Sequence, residues 1–244
     1  MAKIQKITKA TEIAQKSFLQ LDISNNKSTE KEIAFDLVRY MIKNGASKES
    51  FDTIVASGPN SSLPHAMPQD NTLSQPVLID WGALFEGYCS DNTRTMVYTE
   101  RQHEIWDIVC QSHDKAIKAI RPGVKCCEID KVARDIIADY GYGDNFIHST
   151  GHGIGLNIHE YPGFSPRDDT IIEEGMVITV VTIQSGPAQW RAKGEQLIFP
   201  GFLSVSPAQE ADASALPELR QGQKFMMLVA RESKKSANGC GRIH

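Results

Sequence analysis

The sequence has no long apolar run and no excess of basic residues. None of its apolar stretches approaches the roughly 20 residues that a bilayer-spanning helix needs, so we predict no membrane partner. The net charge of −4 comes without a basic stripe, so we predict no nucleic-acid partner. The first residues lack the apolar core of a signal peptide. We therefore expect a cytoplasmic protein.

Cysteine is also scarce, with five residues in 244. An odd number without zinc-finger spacing argues against both a disulfide framework and a structural zinc site, and indicates reduced thiols. What is present is ordinary for a globular protein: 41% hydrophobic and 23% charged residues. A chain of this length can form one domain or two fused halves.

Local patterns predict a mixed α and β protein. Helices are expected over about 3–20, 101–119 and 127–140, with another from the capping sequence at Ser28 to Gly45, and strands over 51–58 and 77–81. Glu32-Ile33 precedes Gly45 by the same interval as Glu128-Ile129 precedes Gly141. Two unrelated amphipathic helices can look alike in this way. The favoured interpretation is an internal duplication, with a site in the cleft between two halves.

Two carboxylates, Asp80 and Asp91, are the first candidates for a site. Apolar Val77 to Ile79 lead into Asp80, so this carboxylate is expected near the end of a buried strand, where it needs a partner or a cation. A hairpin between Gly82 and Gly87 would bring both carboxylates onto neighbouring strands. They can then hold divalent metal ions. The alternative is a structural role, as partners of Arg94 or as turn caps.

Histidines supply the second set of candidates. His152 lies between Gly151 and Gly153, where a backbone without side chains indicates close approach of another group or a positive φ, and this favours a ligand or catalytic role. His148 and His159 flank it as acid, base or oxyanion partners. Each can also be a hydrogen-bonded structural histidine. His65 is a further candidate that lines a pocket. We assign no role to the remaining histidines, which are expected on helix surfaces or at the terminus: His103, His113 and His244.

Three stretches carry a family resemblance: Ile54 to Ala66, Asp80 to Thr95 and His148 to Pro162. They resemble the pita-bread metallopeptidases, which include methionine aminopeptidases, Xaa-Pro aminopeptidases and prolidases, and the loops are most similar to the Xaa-Pro and prolidase branch. The resemblance implies an α+β pita-bread fold, with two pseudo-symmetric halves and a curved antiparallel sheet flanked by helices. We expect this domain over residues 1–202 and a divergent segment over 203–244 that completes it or is appended to it.

The resemblance also implies a ligand set for one or two divalent ions, namely Mn, Co, Zn or Fe. Asp80, Asp91 and His152 match two aspartates and the histidine, with Asp91 in the bridging place. Val181 stands where a glutamate ligand is expected, and Glu195 matches the second, bridging glutamate. Three explanations of Val181 stay open. The protein is a weakened or one-metal peptidase, or a binding protein that has lost catalysis, or its sequence beyond about residue 180 has been altered by a frameshift or divergence.

The function implied is metal-dependent removal of an N-terminal residue from peptides, with proline second. His159 would stabilise the oxyanion, His148 would orient the intermediate, and His65 and His159 would contact the peptide. A catalytically inactive peptide- or protein-binding module is the alternative. A metal-free hydrolase of the creatinase kind is less favoured, because it would not need Asp80, Asp91 and His152. The expected partner is a peptide substrate, and a homodimer is also open.

Overall fold

The computed structural model describes residues 2–23, 27–63 and 65–180, together with the strand Leu228–Val229. The four α-helices in these ranges are α1 (Ala2–Phe18), α2 (Glu30–Lys43), α3 (Glu100–Ala119) and α4 (Cys126–Asp139). The three helices with predicted limits agree to within two residues at either end. None of the described helices combines the length and apolarity needed to cross a bilayer.

The start of α2 shows why this prediction holds. Thr29 is the N-cap, and its hydroxyl accepts a hydrogen bond from the Glu32 N–H over 3.2 Å. The Glu32 carboxylate accepts one in return from the Thr29 N–H over 2.8 Å. This reciprocal pair is a capping box, which satisfies two N–H groups near the helix start. The predicted capping sequence is therefore confirmed.

The first half of the chain forms two small antiparallel sheets. One has the order β2–β3–β6, and the other has the order β1–β4–β5. The strands are β1 (Lys48–Glu49), β2 (Ile54–Ser57), β3 (Val77–Trp81), β4 (Ala83–Phe85), β5 (Tyr88–Cys89) and β6 (Asn92–Met96). β3 has its predicted limits, while β2 begins three residues later than the expected strand. The expected hairpin is present as β4 and β5, which turn at Glu86 and Gly87 with positive φ.

The second half contributes an antiparallel sheet with the order β10–β9–β7–β8. Its strands are β7 (Gly151–Gly153), β8 (Glu160–Phe164), β9 (Val177–Ile178) and β10 (Leu228–Val229). Leu228 pairs with Ile178 and Val229 pairs with Val177, so the chain has strand structure at these two positions. Val181, Glu195 and the predicted domain boundary at residue 202 lie outside the described residues.

Each half has its own hydrophobic core. In the first half α1 and α2 pack on β2 and β3, and Trp81 is fully buried, stacks on Phe18 and donates its indole N–H to the Ala14 carbonyl. In the second half α3 and α4 pack on β8 and β9. A smaller cluster containing Ile7 and Val177 joins the halves. His113 was expected on a helix surface, but it is only 3% exposed, because α3 turns that face toward the protein interior.

Candidate functional site

A cavity of about 410 Å³ is lined by both halves of the fold. Strands β3 and β6 and the loop after β2 form one side, and β7 with the segments around it forms the other. The site residues that sequence analysis singled out in the described ranges all line this cavity: His65, Asp80, Asp91, His148, His152 and His159. The fold therefore brings together groups that are far apart in sequence, as expected for a site between two halves.

Asp80 lies at the predicted place near the end of β3. Its register partner on β6 is Thr93, whose hydroxyl donates to Asp80 Oδ1 over 3.0 Å. Burial raises the pKa of the Asp80 carboxyl well above its usual range, and the negative charge of Asp91 raises it further, while the Thr93 hydrogen bond acts in the opposite direction. The protein groups around Asp80 and Asp91 therefore do not fully offset the negative charge of these two carboxylates.

Asp91 lies immediately before β6 and is 7% exposed. Its Oδ2 atom is 3.4 Å from His152 Nε2. The same carboxylate is close enough to Asp80 to raise the pKa of that residue. Asp91 is therefore the middle member of the three groups, with a carboxylate on one side and an imidazole on the other.

His152 is the central residue of β7, and hydrogen bonds hold both its ring and its backbone. Nδ1 lies 2.9 Å from the Gly153 carbonyl oxygen, and the backbone N–H donates to the Thr179 hydroxyl over 3.2 Å. Burial lowers the pKa of His152, but the hydrogen bond and the charge of Asp91 outweigh burial and leave the pKa raised. A neutral ring with its proton on Nδ1 presents Nε2 as an electron-pair donor toward the cavity.

The glycines beside His152 are explained by close approach of other backbone. A Cβ on Gly151 would lie 2.0 Å from the Thr179 carbonyl oxygen, and one on Gly153 would lie 2.2 Å from the Tyr161 carbonyl oxygen. Neither glycine has a positive φ in this structure. Of the two reasons predicted for these glycines, close approach is the correct one.

The other three histidines, His65, His148 and His159, line the same cavity as Asp80, Asp91 and His152. His159 packs edge-on against His152, with 4.5 Å between ring centroids. Burial lowers the pKa of His159, and the charge of His152 lowers it further. Burial and the charge of His65 lower the pKa of His148 in the same direction. His148 and His159 are thus disposed to be neutral near pH 7, with a donor and an acceptor nitrogen each.

The donors present fit a divalent cation in kind and in charge. Two carboxylates and one imidazole are common ligands of Mn, Co, Zn and Fe, and a cation would offset the negative charge shared by Asp80 and Asp91. Across the described ranges, no three His, Cys, Asp or Glu side chains already have the arrangement of a metal site. Glu195, the fourth predicted ligand, lies outside those ranges, so the complete ligand set stays a prediction.

A buried ion pair behind the site had no predicted role. Asp130 is fully buried on α4 and accepts from the Thr150 N–H and hydroxyl over 3.2 and 2.8 Å. Arg134 donates to both oxygens of Asp130 and to the carbonyl oxygens of Phe146 and His148. These contacts hold the segment that carries His148 and leads into β7. The (i, i+4) spacing of the pair was the one available sequence signal, and it is typical of exposed helix faces as well.

Comparison with known proteins agrees with this geometry. The model of metallopeptidase family M24 matches residues 3–199, which is most of the chain. The chain belongs to metallopeptidase family M24. Its fold is accordingly the predicted α+β pita-bread fold with two pseudo-symmetric halves.

Relatives within family M24 carry proline-related names. An Xaa-Pro dipeptidase from Pyrococcus furiosus is 46% identical over 185 residues, which cover 73% of this chain and 53% of that protein. The solved prolidase from Pyrococcus furiosus has a TM-score of 0.75 at 41% identity, covering 82% of this chain and 59% of the other. An X-Pro aminopeptidase from Thermotoga maritima has a TM-score of 0.74 at 37% identity, covering 82% and 56%. The chain spans about half the length of the curated relatives it matches.

Proposed function

We propose that this protein is a metal-dependent peptidase that removes an N-terminal residue from peptides whose second residue is proline. The observation that carries the proposal is the meeting of Asp80, Asp91 and His152 in one cavity lined by three further histidines. The names of the Xaa-Pro dipeptidase and X-Pro aminopeptidase relatives support the choice of bond.

Asp80, Asp91 and His152 would hold the metal, with Glu195 as the further predicted ligand. The place of Asp91 between Asp80 and His152 supports its bridging role. Bound divalent ions in such sites polarise the substrate carbonyl and lower the pKa of water from about 15.7 toward neutrality. The Thr93 hydroxyl orients Asp80, and the Gly153 carbonyl orients the His152 ring, so both ligands are held before any ion binds.

Three histidines would act on the peptide. His159 packs against His152 and would donate a hydrogen bond to the oxyanion that forms from the substrate carbonyl. His148 lines the same cavity and would orient that intermediate. His65 enters from the loop after β2 and would contact the residue that follows the cut. The lowered pKa values of His148 and His159 favour neutral rings, which donate hydrogen bonds without placing a second cation beside the metal.

Val181 is the specific observation that favours a second candidate function. With valine where a ligand glutamate is expected, the remaining set has one carboxylate fewer and binds a second ion more weakly. A pita-bread module that binds peptides or proteins without cleaving them is therefore the alternative, and sequence alteration beyond about residue 180 would have the same effect.

The cytoplasmic location, the homodimer and the lack of a nucleic-acid partner stay predictions from the sequence.

The test compares metal binding with turnover in the same preparations. Calorimetry with Mn, Co and Zn is expected to show one tightly bound ion in the native protein and a second in Val181→Glu. Hydrolysis of Xaa-Pro peptides should depend on added Mn or Co, increase in Val181→Glu and disappear in His152→Ala, with Met-Xaa peptides as the specificity control. If native protein and Val181→Glu both bind metal and neither cleaves a peptide above the metal-free control, the peptidase proposal is wrong and the binding module is favoured.

A further inference from the structure

The loop after β2 brings His65 to the cavity in an uncommon backbone conformation. His65 has a φ of 54°, in the left-handed region that residues with a Cβ rarely adopt. Such conformations persist where the surrounding structure fixes them, and they concentrate at functional sites. The position of His65 therefore calls for contacts that hold the loop on both sides of it.

Those contacts converge on one buried carboxylate. Glu30 is the first residue of α2 and is fully buried. Its Oε1 accepts from the Ser57 N–H over 2.6 Å and from the Ser57 hydroxyl over 2.8 Å. Its Oε2 accepts from Asn60 Nδ2 over 2.7 Å and from the Gln69 N–H over 2.9 Å. Among the described residues, these four hydrogen-bond partners are all donors, as suits a carboxylate acceptor.

These four bonds hold the loop before and after His65. Ser57 and Asn60 precede the histidine, and Gln69 follows it. Asn60 Nδ2 also donates to the Met67 carbonyl over 3.2 Å, so the two sides are tied to each other. The start of α2 adds backbone bonds, since the Lys31 N–H donates to the Gln69 carbonyl over 3.2 Å. The helix N-terminus further favours a negative charge at this position.

We infer that Glu30 is a positioning residue of the site: its carboxylate holds the loop that sets His65 against the substrate. Glu30 itself does not line the cavity, so it acts through His65 and does not touch the reacting groups. The inference rests on the proposed function for the role of His65. The hold of Glu30 on the loop is a separate claim that can be measured without any activity.

Glutamine is an informative replacement for Glu30 because it keeps nearly the same shape but has an NH2 donor in place of one acceptor oxygen. If its amide nitrogen occupies the Oε1 position, it meets the Ser57 N–H. If it occupies the Oε2 position, it meets the Gln69 N–H. Either orientation sets two donors against each other and leaves a buried N–H without an acceptor. Glu32→Gln is the matched control, because Glu32 lies in the same helical turn and its carboxylate accepts from the Thr29 N–H in the capping box.

The first measurement is amide hydrogen exchange, read by mass spectrometry on peptides that cover residues 58–72. Glu30→Gln should speed exchange there by at least about tenfold, while peptides over 144–150 stay unchanged. Glu32→Gln should leave both regions as in the native protein. Ser57→Ala removes one donor and preserves the rest, so it should speed loop exchange by about threefold even if Glu30→Gln folds poorly. Unchanged loop exchange in both variants overturns the inference.

The second measurement is a double-mutant cycle with His65→Ala in the Xaa-Pro assay. Glu30→Gln should lower kcat/KM about tenfold, mainly through KM, because the predicted metal ligands are untouched. In the His65→Ala background the same change should cost less than about twofold. An equal loss of kcat/KM in both backgrounds would show that Glu30 supports the first half of the fold in general. It would overturn the link between Glu30 and His65. A native protein without activity refutes the proposed function, and loop exchange still decides whether Glu30 holds the loop.

Discussion

Two segments deliver histidines to the cavity, one from each half of the fold, and each is held by a buried carboxylate on a helix. In the first half Glu30 is surrounded by four uncharged donors at the start of α2. In the second half Asp130 forms an ion pair with Arg134, which also donates to the carbonyl oxygens of Phe146 and His148. Similar loops are thus stabilised by different electrostatics in the two halves.

The difference has an energetic consequence. A carboxylate held by neutral donors leaves no charge behind when it is replaced, whereas removal of Asp130 leaves a partly buried guanidinium without its partner. Breaking a buried ion pair from one side is among the most costly polar substitutions. Glu30 and Asp130 are the two anchors, since each holds a loop that carries a histidine. Replacing them should therefore lower the stability of the protein by different amounts.

The largest expected effect is that of Asp130→Asn. We expect the free energy of unfolding to fall by about 3 kcal/mol, because the partly buried Arg134 loses its ionised and fully buried partner. Urea denaturation followed by circular dichroism measures this change. Asp135→Asn is the matched control, since its exposed (i, i+4) pair with Lys131 should contribute no more than about 0.5 kcal/mol. Equal losses in the two variants would contradict the role given to Asp130.

Glu30→Gln should have the next largest effect on stability. We expect a loss of about 2 kcal/mol, because hydrogen bonds to a charged acceptor are replaced by an arrangement with opposed donors. The same denaturation experiment applies, with Glu32→Gln expected to cost less than about 1 kcal/mol. A loss in Glu30→Gln that exceeds the loss in Asp130→Asn would reverse the comparison between the halves.

A third comparison concerns the hydroxyls that support the predicted metal ligands. Thr93 donates to the Asp80 carboxylate, whereas Thr179 accepts from the His152 backbone. Thr93→Val and Thr179→Val should each lower stability by about 1 kcal/mol. Only Thr93→Val removes a bond to a ligand side chain, so it alone should weaken Mn affinity, by about tenfold. Calorimetry that finds the same loss of affinity in both variants would refute this distinction.

The smallest expected effect is electrostatic coupling between the two loops. Burial lowers the pKa of His148 and the charge of His65 lowers it further, so His65→Ala should raise it toward the usual histidine value. Because the folded pKa is lowered, the unfolded chain binds more protons in the window below the usual value, and stability falls as pH decreases through that window. Titration of the His148 ring by NMR measures the change. His103→Ala should leave that titration unaltered.

Local sequence signals were sufficient for most of the regular structure. The capping sequence before α2, the apolar spacing of the helices and the run into Asp80 were each interpreted correctly, because caps and periodicity act over a few residues. The pairing of β3 with β6 was also within reach, since a hairpin joins strands that are close in sequence. His113 was misplaced on a surface, because an isolated polar residue does not show which face of a long helix is covered by neighbouring elements.

The two anchors could not be found in the same way. Glu30 was part of an interpreted helix start, where an acidic residue is ordinary, and Asp130 was one of several charges along α4. Their partners Asn60, Gln69 and Thr150 come from other parts of the chain. A hydrogen bond across 20 to 39 residues leaves no periodic pattern in the sequence.

By itself, the sequence determined the helices, the strand leading into Asp80 and the chemical types of Asp80, Asp91 and His152. These properties depend on neighbouring residues and on side-chain chemistry alone. Tertiary structure decided which of the two predicted reasons holds for Gly151 and Gly153, and that two helix carboxylates hold the histidine loops. Burial and distant donors set these outcomes, and both come into being only when the chain folds.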